Sequence, residues 1–187
     1  MQVVLFSELE NKEIKIKKPV SVGLGNFRLS ISYLSHDLLI QTPTLYNPFE
    51  ISRFDSIDLL INTPEKSKNE KNSFESKINF IDKLAKKMGK SYNLEFVSSI
   101  KSGIDTRFRL NVSRSCVVFN IGKQVIDLTN LRRKTMSKYI ITPKYIWMNY
   151  VSEKYGVYWE IVQVKIMEHN YDIYMFIDDE EPKAKEI

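Results

Sequence analysis

The stretch Ile40–Phe54, IQTPTLYNPFEISRF, and the stretch it has to meet, Tyr139–Ile166, YIITPKYIWMNYVSEKYGVYWEIVQVKI, decide how this chain is read. Together they hold three of its six prolines and a dense set of aromatic residues with Lys or Arg close by. Neither contains a catalytic arrangement. Both contain what a groove for a single-stranded nucleic acid needs: flat rings on which bases stack and cations that follow the phosphates. The rest of the chain reads as the scaffold that brings the two together.

Within the first stretch, Pro43 and Pro48 each remove a ladder donor and restrict the residue before them, which predicts an extended, irregular loop. Upstream, Phe27–Leu34 alternates, with Phe27, Leu29, Ile31 and Tyr33 on one face and Arg28, Ser30 and Ser32 on the other. Period two with aromatic and β-branched content argues a strand. A tight turn at Ser35-His36 and a returning strand over Asp37–Thr42 follow. Met1–Phe6 reads as an edge strand, and Ile14 and Ile16 alternate with Lys15 and Lys17 as a half-buried strand with a basic face. Downstream, Ser56–Ile61 is a third strand. Asn62–Asn72 is polar, and Ser73 is placed to cap a helix ending at Gly89. Phe74, Ile78, Ile81, Ala85 and Met88 fall near helical spacing on one side of it.

The remainder reads as strands: Tyr92–Val97, Thr106–Val112, a hairpin of Cys116–Ile121 with Gln124–Leu128 across Gly122, then Tyr139–Met148, Val157–Glu168 and Tyr171–Ile177. Thr129–Lys138 reads as a basic loop. Three strands, one helix and more strands is the order of an OB-fold, a small antiparallel Greek-key barrel. The expected architecture is mainly β, with one helix between the third and fourth barrel strands and extra strands. One domain over residues 1–177 is expected, followed by an acidic tail over 178–187.

Composition fits a globular β-rich chain. Of its 187 residues 43% are hydrophobic and 12% aromatic. No apolar run approaches the roughly 20 residues of a membrane-spanning helix, and the start lacks the charge order of a secretory signal. A single cysteine, Cys116, excludes an internal disulfide and fits a reducing compartment, here the cytoplasm. The last ten residues carry five acids and two lysines, a net of −3. The formal net charge of +5 therefore leaves +8 on the body, compatible with a polyanionic ligand and a competing tail.

Enzymatic chemistry finds little footing. His36 and His169 are the only histidines, so with one cysteine no zinc or iron constellation is available from soft ligands. Gly23-Leu24-Gly25 lacks the last glycine of a dinucleotide loop, and no Walker lysine motif is present. Asp55 and Asp58 are three apart and cannot share one strand face. The expectation is a non-enzymatic protein with no cofactor and no metal.

Four pieces, taken in order, carry a resemblance: Lys17-Lys18-Pro19, IQTPTLYNPFEISRF, CVVFNIGKQVIDL (Cys116–Leu128) and IWMNYVSEKYGVYWEIVQVKI. The order resembles that of the single-stranded-DNA-binding proteins of nucleocytoplasmic large DNA viruses, which in turn resemble the OB-fold replication protein of podophages. Related cytoplasmic linear plasmids are a further source of such chains. The viral pattern reads IQTP, a short spacer, then PFG; here Pro48-Phe49 is followed by Glu50. The resemblance implies a protein that coats single-stranded DNA during replication. It also implies an acidic tail, here Asp178, Asp179, Glu180 and Glu181, that recruits a DNA polymerase and shields the groove.

The candidate DNA-binding residues are these. Tyr46 and Phe49 lie in the proline-bounded loop, where a ring either stacks on a base or packs locally. Arg53 follows, for a phosphate or a surface ion pair. Arg107 and Arg109 share a strand face opposite Phe108 and Leu110. Arg132, Arg133 and Lys134 form a loop cluster, and Lys144 lies in the second stretch. Trp147 and Trp159 are either stacking platforms or core. No fixed set of donors for base edges is evident, so no sequence-specific readout is expected. An RNA-binding OB module and a structural protein of a replication or virion complex remain open, as does homo-oligomerisation.

Overall fold

The computed structural model describes residues 3–9, 13–49, 51–52, 55–61, 68–131 and 133–169. In chain order the strands are β1 (Val3–Leu5), β2 (Ile14–Ile16), β3 (Val20–Gly23), β4 (Asn26–Tyr33), β5 (Leu39–Gln41), β6 (Leu45–Asn47) and β7 (Ser56–Leu60). The helix α1 (Lys68–Gly89) intervenes, then β8 (Glu95–Val97), β9 (Ile100–Lys101), β10 (Arg107–Phe119), β11 (Val125–Ile126), β12 (Thr135–Asn149) and β13 (Lys154–His169). Five of these close a barrel: β12 pairs with β6, β6 with β7, β7 with β10, β10 with β13, and β13 again with β12. Counted along the chain, the ring order is first, second, third, fifth, fourth, with one parallel pair between third and fifth. Closure removes the open sheet edges that would otherwise seek a partner.

The mainly β barrel with one helix and extra strands agrees with the sequence reading. Several details differ. The helix follows the second ring strand rather than the third, because Asn26–Tyr33 lies outside the ring and pairs with the far half of β12. The sheet is not wholly antiparallel, since β10 and β13 run parallel, as do β1 and β5, and β13 and β8. Leu45–Asn47 is a ring strand rather than loop. Pro43 splits it from β5, and Thr42 bridges the gap: its N–H donates to the Tyr139 carbonyl (2.9 Å) and its hydroxyl accepts from the Tyr139 N–H (3.0 Å). Thr106–Val112 and Cys116–Ile121 belong mostly to one strand, β10, whose register against β13 shifts between Val112 and Val117. Its end does pair with β11 as a hairpin. The basic loop shortens, because β12 starts at Thr135. The turn after β4 centres on Leu34 and Ser35, both at positive φ, rather than on Ser35-His36. The expected strand Tyr171–Ile177 and the tail 178–187 lie outside the described residues.

The helix begins at Lys68, five residues before the expected cap at Ser73. Its stripe is core, as the spacing indicated: Phe74, Ile78, Ile81 and Ala85 are all buried. Met88 is the exception, being exposed. Phe74 sits edge-on to Phe6 (5.8 Å) and to Phe108 of β10 (6.0 Å), and Phe108 sits edge-on to Trp159 of β13 (5.3 Å). This relay of rings fastens α1 to the barrel. Gly89, the last residue of α1, is a glycine for a packing reason, because a Cβ there would overlap the Tyr155 ring. Burying each such ring contributes about 1.5–3 kcal/mol. Among the described residues no helix is long and apolar enough to cross a membrane.

Candidate nucleic-acid interface

Beyond the ring, β12 and β13 continue as a long hairpin flanked by β4 and β3 on one side and β8 on the other. One row of opposed residues crosses all five strands: Val20, Arg28, Trp147, Gly156 and Val97. The next row runs through Ser30, Tyr145 and Tyr158. Their side chains share the outward face, because the alternate residues Leu29, Ile146, Met148, Val157 and Trp159 are buried. Strand alternation thus sends Tyr145 and Trp147 outward while their neighbours form core.

Tyr145 and Tyr158 stack with ring centroids 4.8 Å apart and planes 9° from parallel. The Arg28 guanidinium carbon lies 4.4 Å from the Tyr145 centroid. The result is a cation laid on a stacked aromatic pair at the protein surface. Trp147, half-buried, stands opposite Gly156, where any Cβ would come within 3.2 Å of the indole. The absence of a side chain at that position leaves room for the ring. Burial raises the Tyr158 pKa, so the ring is neutral at physiological pH.

Beside Tyr158 runs an open cleft of about 540 Å³, lined by Asn111, Arg114, Lys144, Tyr158 and Glu160 among others. A second cleft of about 380 Å³ shares Ser113, Ser115, Lys144 and Glu160 with it and continues toward Val3 and Leu39. Both are bordered by the part of β10 where its register with β13 shifts.

The expected residues divide. Phe49 is 44% exposed, with the Arg107 guanidinium 5.1 Å from its centroid. Tyr46, now a strand residue, pairs with Leu60, which pairs with Arg107. Tyr46, Phe49 and Arg107 therefore converge on one patch of the barrel wall. Arg109 shares that wall, but Asp58 holds its guanidinium with two hydrogen bonds of 2.7 Å each. The same contact holds the Asp58 carboxyl below its ordinary range. Lys144 is likewise engaged, donating to Glu160 at 2.6 Å. Arg107 is looser, with Asp105 at 3.7 Å. Arg133 is exposed and Lys134 half-buried before β12. Arg53, Arg132, Asp178, Asp179, Glu180 and Glu181 lie outside the described residues.

Trp159 is corrected outright. It is 1% exposed, and its indole N–H donates to Ser99 Oγ at 2.8 Å. Ser99 in turn donates to Asp82 of α1 at 2.6 Å, and the Ser99 N–H and Ser98 hydroxyl complete the carboxylate's partners. The ring is a core joint between helix and barrel and offers no face to a base. Arg28, Tyr145 and Tyr158 were missed. The available signal was parity: if Trp159 points inward, Tyr158 points outward, and Tyr145 shares the parity of Trp147.

Among the described residues no group of His, Cys, Asp and Glu is arranged to hold a metal ion. Cys116 is half-buried, and burial together with Glu160 pushes its thiol up to about 11, away from the range of a reactive thiolate.

No protein-family model matches the chain, and no curated protein does. Solved structures do. The single-stranded DNA-binding protein from bacteriophage Enc34 superposes with a TM-score of 0.51 at 14% identity, covering 88% of this chain and 96% of that one. The structure of that protein in complex with ssDNA gives 0.51 at 16% identity, covering 91% and 96%. The single-stranded DNA-binding protein gp2.5 of bacteriophage T7 aligns more loosely, at 0.45 and 12% identity over 75% and 97%. At these identities the Enc34 likeness speaks for the fold.

Proposed function

We propose that this chain binds single-stranded DNA without sequence preference, by base stacking and phosphate contacts, and carries out no turnover. The observation that carries the reading is the outward Tyr145–Tyr158 stack with Arg28 upon it, beside a polar cleft on a closed barrel. Every base has a π-face, so such a platform accepts any sequence. Phe49 with Arg107 supplies a second ring and cation on the barrel wall. The protein-level role proposed is coating of exposed strands during replication of viral or cytoplasmic-plasmid DNA, with Asp178, Asp179, Glu180 and Glu181 as the contact for a polymerase. The fold shared with a phage protein seen in complex with ssDNA supports this reading.

The test is competition binding of single-stranded DNA, duplex DNA and RNA at a series of salt concentrations. Single strands should win, with a log–log salt slope of about −0.7 per phosphate contact. Homopolymers should compete within about tenfold of one another, as stacking tolerates any base. Equal affinity for duplex would sink the proposal, and a clear preference for RNA would make this an RNA-binding module instead.

A further inference from the structure

Arg28 and Tyr158 reach Tyr145 from β4 and β13, the strands on either side of β12, and so take both faces of its ring. The ring face left for a ligand is the one that Tyr158 turns away from β12. The cleft of about 540 Å³ lies on that side: Tyr158 lines it together with Asn111 and Arg114 of β10. The same cleft holds a fixed polar pair. Glu160 follows Tyr158 by two residues on the outward face of β13, roughly 6.6 Å along the strand, and is opposed to Asn111. Lys144, the extra residue of β12 where its register with β13 shifts, donates to Glu160 Oε2 at 2.6 Å. Asn111 is anchored as well, its Nδ2 donating to the Trp159 carbonyl at 3.0 Å. The Glu160 side chain is only 12% exposed, so hydrogen bonds to its carboxylate face little competition from water.

The chemistry of the pair selects the occupant. An ionised carboxylate offers two acceptor oxygens and no donor, and an ammonium offers donors only. Guanine alone among the four bases presents the complement on one edge: N1–H and the 2-amino group as adjacent donors, with O6 as an acceptor beside them. Adenine, cytosine and thymine have no two adjacent donors on that edge. We propose that this cleft is a guanine slot, in which a guanine of the bound strand stacks on Tyr158, donates N1–H and its 2-amino group to Glu160, and accepts from Lys144 at O6. Arg114, exposed where the register of β10 shifts, is placed for a phosphate flanking that nucleotide. The inference rests on the single-strand reading and refines it: the strand is held whatever its sequence, and one position along it favours guanine. Lys144, Glu160 and Asn111 come from three strands, so no stretch of sequence displays this reader.

The experiment measures binding of the full chain to an oligothymidine and to the same oligothymidine carrying one internal guanine, hypoxanthine or adenine. All three substitutes are purines, so stacking is closely matched and the edge is what varies. The guanine strand should bind about tenfold more tightly than the adenine strand, a ratio equivalent to ~1.4 kcal/mol and within the range of a bidentate base contact. Hypoxanthine keeps N1–H and O6 but lacks the 2-amino group, and its strand should fall between them. In Glu160→Gln the guanine-to-adenine ratio should drop to near one. The ratio is the readout, because the substitution also frees Lys144 for phosphates and shifts every affinity together. The base series on the native chain needs no variant to fold. Guanine bound no better than adenine overturns the slot, as does hypoxanthine equal to guanine, or a ratio that survives Glu160→Gln. A native chain that binds oligothymidine without discriminating among the purines defeats the slot alone. A native chain that binds none of the strands defeats the single-strand reading, and the slot with it.

Discussion

Tyr158 and Trp159 are neighbours with opposite environments, and substitution should separate them. Tyr158→Ala should weaken single-strand binding by about 1–3 kcal/mol with little change in the unfolding midpoint. Trp159→Ala should cost about 3–5 kcal/mol of stability, measured by urea unfolding, because the ring fills core and anchors Ser99. The reverse pattern would mean that the faces are misassigned. Asp58 gives a second test. Its carboxylate occupies the guanidinium that a phosphate would use, so Asp58→Asn should tighten single-strand binding and steepen the salt slope by about 0.7. An unchanged slope would remove Arg109 from the interface. The same pair has a pH signature. Led by the Arg109 hydrogen bond, the Asp58 pKa falls below its ordinary 3.8 in the folded chain, so the folded state binds this proton less readily than the unfolded chain. Its stabilising contribution is complete above 3.8 and is lost as pH falls through the lower folded value. Asp58→Asn should therefore flatten the acid limb of stability against pH.

At the scale of elements, the β12–β13 hairpin is shared between the barrel and the outward platform, and Gly156 is where strand packing meets the site. A Cβ there would lie 2.8 Å from the Val97 carbonyl oxygen of β8 and 3.2 Å from the Trp147 ring. Backbone on one side and a half-buried indole on the other leave little room to yield. Gly156→Ala should destabilise the fold by about 1–3 kcal/mol, the cost of overpacking, and shift Trp147 emission. Single-strand affinity should fall as well, because the indole is displaced from the face it shares with Tyr145. A variant of native stability and unchanged emission would show that β8 moves aside freely. The helix contributes differently: Asp82 through Ser99, and Phe74 through Phe108, support Trp159 on the inner side of the hairpin.

The molecule as a whole sets a basic body of +8 against a terminal segment of −3. A tethered anion competes with DNA at high effective concentration. Truncation after Ile177 should therefore tighten single-strand binding at low salt, with a gain that shrinks as salt screens both partners. The two lysines among the last ten residues make the gain smaller than for a wholly acidic segment. Superimposable affinity curves across a salt series would show that the segment does not compete. Polymerase recruitment is a separate matter, read by pull-down with and without residues 178–187.

Sequence alone determined the strands whose alternation is local, such as Phe27–Leu34 and Thr106–Val112, and the core stripe of α1, because periodicity is written in neighbouring residues. It also determined the mainly β class with one helix, and it singled out Tyr139–Ile166, whose rings and cations the proposed single-strand interface draws on. Tertiary structure decided which partners closed the ring, since the parallel β10–β13 pair and the short β6 strand depend on contacts between residues far apart in the chain. It alone neutralised Arg109 and Lys144, because Asp58 and Glu160 reach them across strands. It alone brought Arg28 over Tyr145 and Tyr145 against Tyr158, because that meeting depends on cross-strand register, including the shift between Pro143 and Tyr145. A slip of one residue there would have sent the same rings into the core.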